Sequence, residues 1–177
     1  MHRLLCVLVL VTVSLAAPTP ALAQRVEGPD AWAHLRFLFG TWEGAGQGTP
    51  GEGVGSFTFE LVLDAGALLR RSHSSYPAAK DRPAVTHDDL MVIYREGGNL
   101  RALYVDNEGH VIHYAVATTD APRKVTFTSA AGPDAPRYRF TYRLVGEDTV
   151  RTRFEIAPPG HPDAFALYVE GDARRSR

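Results

Sequence analysis

Gly40-Thr41-Trp42-Glu43-Gly44-Ala45-Gly46-Gln47-Gly48 decides the fold. Its even positions hold four glycines and one tryptophan, so on an extended chain one face is nearly bare and Trp42 alone projects from it. Glycine weakens a strand and gives it nothing to pack. Its repetition at period two therefore implies close approach of another backbone, or a sharply coiled strand. The first, closing strand of a barrel meets both conditions.

Further segments of period-two or β-rich character follow at about 54–63, 66–76, 87–95, 99–106, 110–118, 123–129, 136–145, 149–157 and 164–174, which makes about ten strands. Turn chemistry separates them, at Asp64-Ala65-Gly66, Glu96-Gly97-Gly98-Asn99, Asn107-Glu108-Gly109, Gly146-Glu147-Asp148 and Pro158-Pro159-Gly160. Short connections between successive strands imply an antiparallel meander. The fold class is therefore all-β, a closed antiparallel barrel. The longer connection from Pro77 to Thr86, polar and broken by proline, is the candidate flap over one barrel end.

Two local patterns can be taken further. In the C-terminal hairpin, Tyr138, Phe140, Tyr142 and Leu144 share a face with Val150, Thr152, Phe154 and Ile156 only if the pairing sum is even. A three-residue loop, Gly146-Glu147-Asp148, gives that register, setting Tyr142 opposite Thr152 and Arg139 opposite Glu155. Arg137, Arg139, Arg143, Arg151 and Arg153 then line one surface, expected to be a solvated outer wall, with an anion site as the alternative. In the central strands Met91, Ile93, Leu103, Val105 and Val111 make one apolar face, and Val92, Tyr94, Tyr104 and Ile112 make the other. Both faces need cover. A short helix over 31–38, capped by Asp30 and carrying Trp32, Leu35 and Phe39 near one face, is expected on the outer one, with a homodimer partner as the alternative.

The chain begins with Met1-His2-Arg3, an apolar run from Leu4 to Ala17, and Ala21-Leu22-Ala23 before Gln24. That is the pattern of a secretory signal peptide over residues 1–23, which places the remaining 24–177 as a single barrel domain in the periplasm or outside the cell. The single cysteine, Cys6, leaves with the leader, which excludes disulfides and thiolate chemistry from the exported protein. The formal charge of −1 has no block of like sign, so nucleic-acid binding is not expected, nor stable membrane insertion after processing.

Candidate chemistry is sparse. His110 and His113 stand three apart on a strand and face opposite ways, so no metal site is expected. His87 beside Asp88 and Asp89 is an acid/base cluster at a strand mouth. The aromatics speak more clearly: Trp42, Phe59, Tyr76, Tyr94, Tyr104, Tyr142 and Tyr168 recur on apolar strand faces and are the candidate ligand-binding residues.

The opening Phe39-Gly40-Thr41-Trp42-Glu43-Gly44-Ala45-Gly46-Gln47-Gly48 is similar to the G-x-W-x-G-x-G-x-G start of nitrobindin-like proteins, ten-stranded haem-binding barrels of the calycin superfamily. It resembles more closely a related bacterial family of unknown function, through Asp64-Ala65-Gly66-Ala67-Leu68-Leu69-Arg70, Met91-Val92-Ile93-Tyr94, Val105-Asp106-Asn107-Glu108-Gly109 and a close on Arg174-Arg175. The resemblance covers about residues 36–175 and implies a lipocalin-like barrel. It also implies a haem pocket whose iron is held by a histidine on the last strand. The matching stretch here, Tyr168-Val169-Glu170-Gly171-Asp172-Ala173-Arg174-Arg175, carries Tyr168 at that position, so no resident haem is expected.

The expectation is an exported barrel that binds a small apolar or amphipathic molecule, without catalysis. The alternatives are a haem barrel acting on peroxynitrite or nitric oxide, an enzyme using His87 with Asp88 or Asp89, and an interaction module for another exported protein.

Overall fold

The computed structural model describes residues 30, 32–121, 123–130, 132 and 134–176. The expected signal peptide lies outside the described residues. Ten strands follow one another: β1 (Gly40–Gly48), β2 (Gly53–Val62), β3 (Ala67–Tyr76), β4 (Val85–Glu96), β5 (Asn99–Asp106), β6 (Val111–Asp120), β7 (Arg123–Ser129), β8 (Arg137–Gly146), β9 (Thr149–Ala157) and β10 (Ala166–Arg175). Each pairs antiparallel with its chain neighbour, and β10 pairs with β1, so the sheet is a closed lipocalin-like barrel.

The glycines of β1 make the closure possible. A Cβ on Gly44 would lie 2.2 Å from the Asp172 carbonyl oxygen, and one on Gly48 2.1 Å from that of Tyr168. From the other side, a Cβ on Gly171 would meet the Ala45 oxygen at 2.4 Å. The two strands coil so tightly that any side chain at these positions would enter the neighbouring backbone.

One end of the barrel is filled. A 3-10 helix, Ala33–Leu38, buries Leu35 and Leu38 completely and packs on β6 and β7. Trp32 Nε1 donates to the Ala65 carbonyl in the β2–β3 turn, and His34 Nδ1 lies 2.7 Å from Asp120 at the β6–β7 turn. The helix thus spans the barrel end. The expectation that it covers the outer wall is corrected: its apolar side chains join the same core as Trp42, Phe59, Leu68, Met91 and Phe127. The cap position is Trp32 rather than the expected Asp30, and it carries no side-chain cap bond.

The β8–β9 register places Tyr142 opposite Thr152 and Arg139 opposite Glu155, as the pairing sum required. The loop differs. Gly146 pairs with Thr149 after a bulge, so the turn has two residues and the irregularity falls between Leu144 and Gly146. Four of these outer arginines are ion-paired, Arg137 to Asp163, Arg139 and Arg153 to Glu155, and Arg151 to Asp172. In the centre the face assignment is corrected. Glu96 pairs with Asn99 around Gly97-Gly98, which gives an odd pairing sum and puts Met91 opposite Tyr104. Met91, Ile93, Ala102, Tyr104, Ile112 and Tyr114 therefore face inward, while Val92, Leu103, Val105 and Val111 stand on the outer wall.

Candidate functional site

At the end opposite the helix, the interior is open. A cavity of about 660 Å³ reaches from the loops at Thr49-Pro50, Arg82 and Glu108 down to Arg70 and Phe57. Such a volume suits a drug-sized molecule. Its walls differ in chemistry. On β8, β9 and β10 they are Tyr138, Phe140, Phe154, Ile156 and Tyr168; on β3 to β5 they include Ser72, Ser74, His87, Asp89, Tyr104 and Asp106, with Ile112 and Tyr114 beside them on β6.

The floor is an ion pair. Arg70 and Asp89 bond each other with both side chains 5% exposed. The Arg70 guanidinium lies 5.1 Å from the centre of the Phe140 ring and 5.8 Å from those of Phe57 and Tyr142. Burial is the largest influence on Arg70 and opposes its charge, but Asp89 together with Tyr142 and Tyr104 outweighs it and holds the guanidinium above its ordinary range. Burial pushes the Asp89 carboxyl up further than Arg70 and His87 pull it down. Neither Arg70 Nε nor the Tyr142 hydroxyl has a well-aligned hydrogen bond among the described residues.

Above the floor a polar chain climbs to the rim. His87 Nε2 is 2.9 Å from the Tyr104 hydroxyl and 3.7 Å from Asp89 Oδ2, and its Nδ1 is 2.9 Å from Glu108. Tyr104 donates to Asp106 Oδ2 at 3.1 Å. Asp106 also accepts from the backbone N–H of Glu108 and of His110, and its Oδ2 lies 2.8 Å from His110 Nδ1. Burial works against ionisation of Asp106, yet the bonds from His110 and Tyr104 hold it below the usual carboxylate range. Tyr104 is pushed far up by burial and then by Asp89 and Asp106.

The sequence-derived candidates separate into three groups. Tyr76, Tyr104 and Tyr168 line the cavity. Trp42, Phe59 and Tyr142 are at most 2% exposed and lie in the packed core. Tyr94 stands on the outer face of β4, in alternation with inward Met91 and Ile93, opposite Arg101. Tyr168 comes to the cavity through a bulge, since the register of β10 on β9 shifts between Leu167 and Val169. Of the acid/base cluster, Asp89 shares the interior with His87, whereas Asp88 points outward to His73 at 2.7 Å. Sequence reasoning missed Arg70, because charged residues on an inward face carry no periodic signal of their own; its place between Leu68 and Ser72 on one face of β3 was the available clue.

Among the described residues no group of three His, Cys, Asp or Glu side chains is arranged to hold a metal ion, and no helix is long and apolar enough to cross a membrane. No family model matches the chain. No curated protein matches it either. Among solved structures the chain is similar to Rv2717c from M. tuberculosis, with a TM-score of 0.58 at 15% identity over 83% of this chain and 98% of that one. It is similar to a lesser degree to the S-type phycobiliprotein lyase CPES from Guillardia theta, with a TM-score of 0.48 at 8% identity over 80% of this chain and 90% of that one. A de novo designed fluorescence-activating β-barrel matches with a TM-score of 0.41 at 16% identity over 80% of this chain and 95% of that one. At such identity the likeness to Rv2717c shows the fold alone.

Proposed function

We propose that this chain is an exported barrel that holds a small amphipathic molecule and performs no chemistry on it. The observation that carries the reading is the two-sided cavity of about 660 Å³, open at one end, with aromatic side chains facing a polar wall. A planar or elongated ligand with one polar region matches that division, since apolar surface meets Phe140, Phe154 and Ile156 while polar atoms meet His87, Asp89 and Tyr104. Native mass spectrometry of protein recovered from its own compartment tests it. A retained small molecule of defined mass is expected, on a polypeptide beginning at Gln24. A ligand-free chain that binds no amphiphile in vitro overturns the reading.

The nitrobindin-like alternative asks for a histidine-ligated haem, and the residues present do not fit it. Tyr168 holds the β10 position. The cavity histidines are committed elsewhere, His87 to Glu108 and Tyr104 and His110 to Asp106. A proximal imidazole must be held facing the iron by the wall itself.

A further inference from the structure

We propose that the cavity mouth is an anion-recognition point: the ligand is an amphiphile with a carboxylate head bound by Arg82, its apolar body lying below against Phe140, Phe154 and Ile156. This rests on the small-molecule reading and names the ligand's chemical class.

Arg82 belongs to the β3–β4 connection, which is itself ordered as a small hairpin: Ala79 N–H donates to the Arg82 carbonyl at 2.8 Å, and Arg82 N–H returns to Ala79 at 3.2 Å. The side chain turns inward, lines the cavity and lies 5.9 Å from the centre of the Tyr76 ring. Two glycines make this possible. A Cβ on Gly53 would lie 2.6 Å from the Tyr76 ring, and one on Gly51 3.1 Å from Arg82 Nη2. The loop joining β1 and β2 thus leaves room for the stacked pair.

The guanidinium is under-used. It makes one hydrogen bond among the described residues, from Nη2 to the Pro77 carbonyl at 3.2 Å, although the group carries five donors in a fork that matches a carboxylate. The side chains of Tyr76 and Tyr168 line the same mouth. Their proximity is felt electrostatically: burial, then Tyr168, push the Tyr76 hydroxyl up, while Arg82 pulls it down. Glu108 also lines the cavity and adds to the upward push on Tyr76, but its carboxylate is engaged by His87 at 2.9 Å. One cation and two phenol donors therefore converge where the cavity meets solvent. The floor offers no such place, because Arg70 is already neutralised by Asp89. A carboxylate at the mouth gains charge-assisted bonds while remaining partly hydrated, which avoids the cost of burying it.

Dodecanoic acid and dodecan-1-ol, which share a chain and differ in head group, are titrated by calorimetry at pH 8 into the wild-type chain and into Arg82→Gln and Arg82→Lys. Wild type is expected to prefer the acid about tenfold, the scale of one charge-assisted interaction. Arg82→Gln is expected to lose that preference, binding acid and alcohol alike, and Arg82→Lys to keep part of it. Equal affinity of wild type for the two compounds, or an acid preference that survives Arg82→Gln, overturns the proposal. Failure of both compounds to bind, with a non-anionic molecule retained in native mass spectrometry, overturns the head-group inference alone. Failure with nothing retained overturns the small-molecule reading as well.

Discussion

Arg175 sets its guanidinium 4.2 Å from the centre of the Trp42 ring while donating to the carbonyls of Phe37 and Phe39. Trp42 in turn donates through Nε1 to the Leu38 carbonyl at 2.7 Å. A single side chain of the last strand thereby fixes both the first strand and the helix that fills the barrel end. The cation over an indole face adds an attraction of its own.

Trp42→Ala is expected to lower stability by about 3–5 kcal/mol, the cost of deleting a fully buried large aromatic. Urea unfolding measures it. The folded fraction should bind amphiphiles as wild type does, because Trp42 is not a wall of the cavity. Unchanged stability with lost binding would falsify the structural role assigned to Trp42.

Gly44→Ala is expected to cost about 1–3 kcal/mol through overpacking, since its Cβ would sit 2.2 Å from a backbone oxygen that cannot swing aside. Thermal unfolding with the midpoint followed by far-ultraviolet dichroism decides it. A neutral result would mean that β1 and β10 can separate without loss.

Asp89→Asn leaves Arg70 buried without its counter-charge and is expected to destabilise by about 3–5 kcal/mol. The double variant Arg70→Met with Asp89→Leu should recover most of that loss, because it removes both desolvated charges together. If the double variant is no more stable than Asp89→Asn, the ion pair is not what the interior depends on.

Glu155 is held below the ordinary glutamate range, first by its hydrogen bonds from Arg139, at 2.7 and 2.8 Å. A depressed folded-state value means that the stability it contributes is present above the unfolded-state pKa, near 4.5, and is lost as pH falls through the folded value. Wild type should therefore exceed Glu155→Gln in stability at pH 7, with the gap closing below about pH 4.5. Parallel denaturation series across pH 3–7 test this; a gap that widens on acidification contradicts it.

Ferric haem should give no saturable one-to-one Soret change with the wild-type chain, given the commitments of His87 and His110. Tyr168→His should strengthen haem binding, because the bulge already turns that position to the cavity. A tight wild-type complex abolished by Tyr168→Phe would replace this expectation with tyrosine ligation.

The wall of the barrel was largely legible from residue order, and its interior only in part. Strand limits followed turn chemistry closely, and the β8–β9 register followed from matching two apolar faces. The β4–β5 faces did not, because Gly97-Gly98 makes a two-residue turn and one residue of loop length exchanges the two sides of every later pairing. Helix placement failed for a related reason: Trp32, Leu35 and Leu38 announce that a surface must receive them, but not which. At the site, Tyr76, Tyr104 and Tyr168 could be named as aromatic strand residues, whereas depth along the barrel separates them from Phe59 and Tyr142 and leaves no mark in a period-two pattern. Arg82 was hidden by its position in a polar connection that has no pattern to read.

The two ends of the barrel carry unrelated duties. Arg175, Trp42 and the 3-10 helix shut one end, while Arg82, Tyr76 and Tyr168 surround the opposite opening, with the length of the strands between them. Coupling between well-separated sites is weak, so substitutions at the opening should combine additively with those at the closure. A descendant of this chain is thus free to change the residues around its opening one at a time, keeping intact the fastening at the other end.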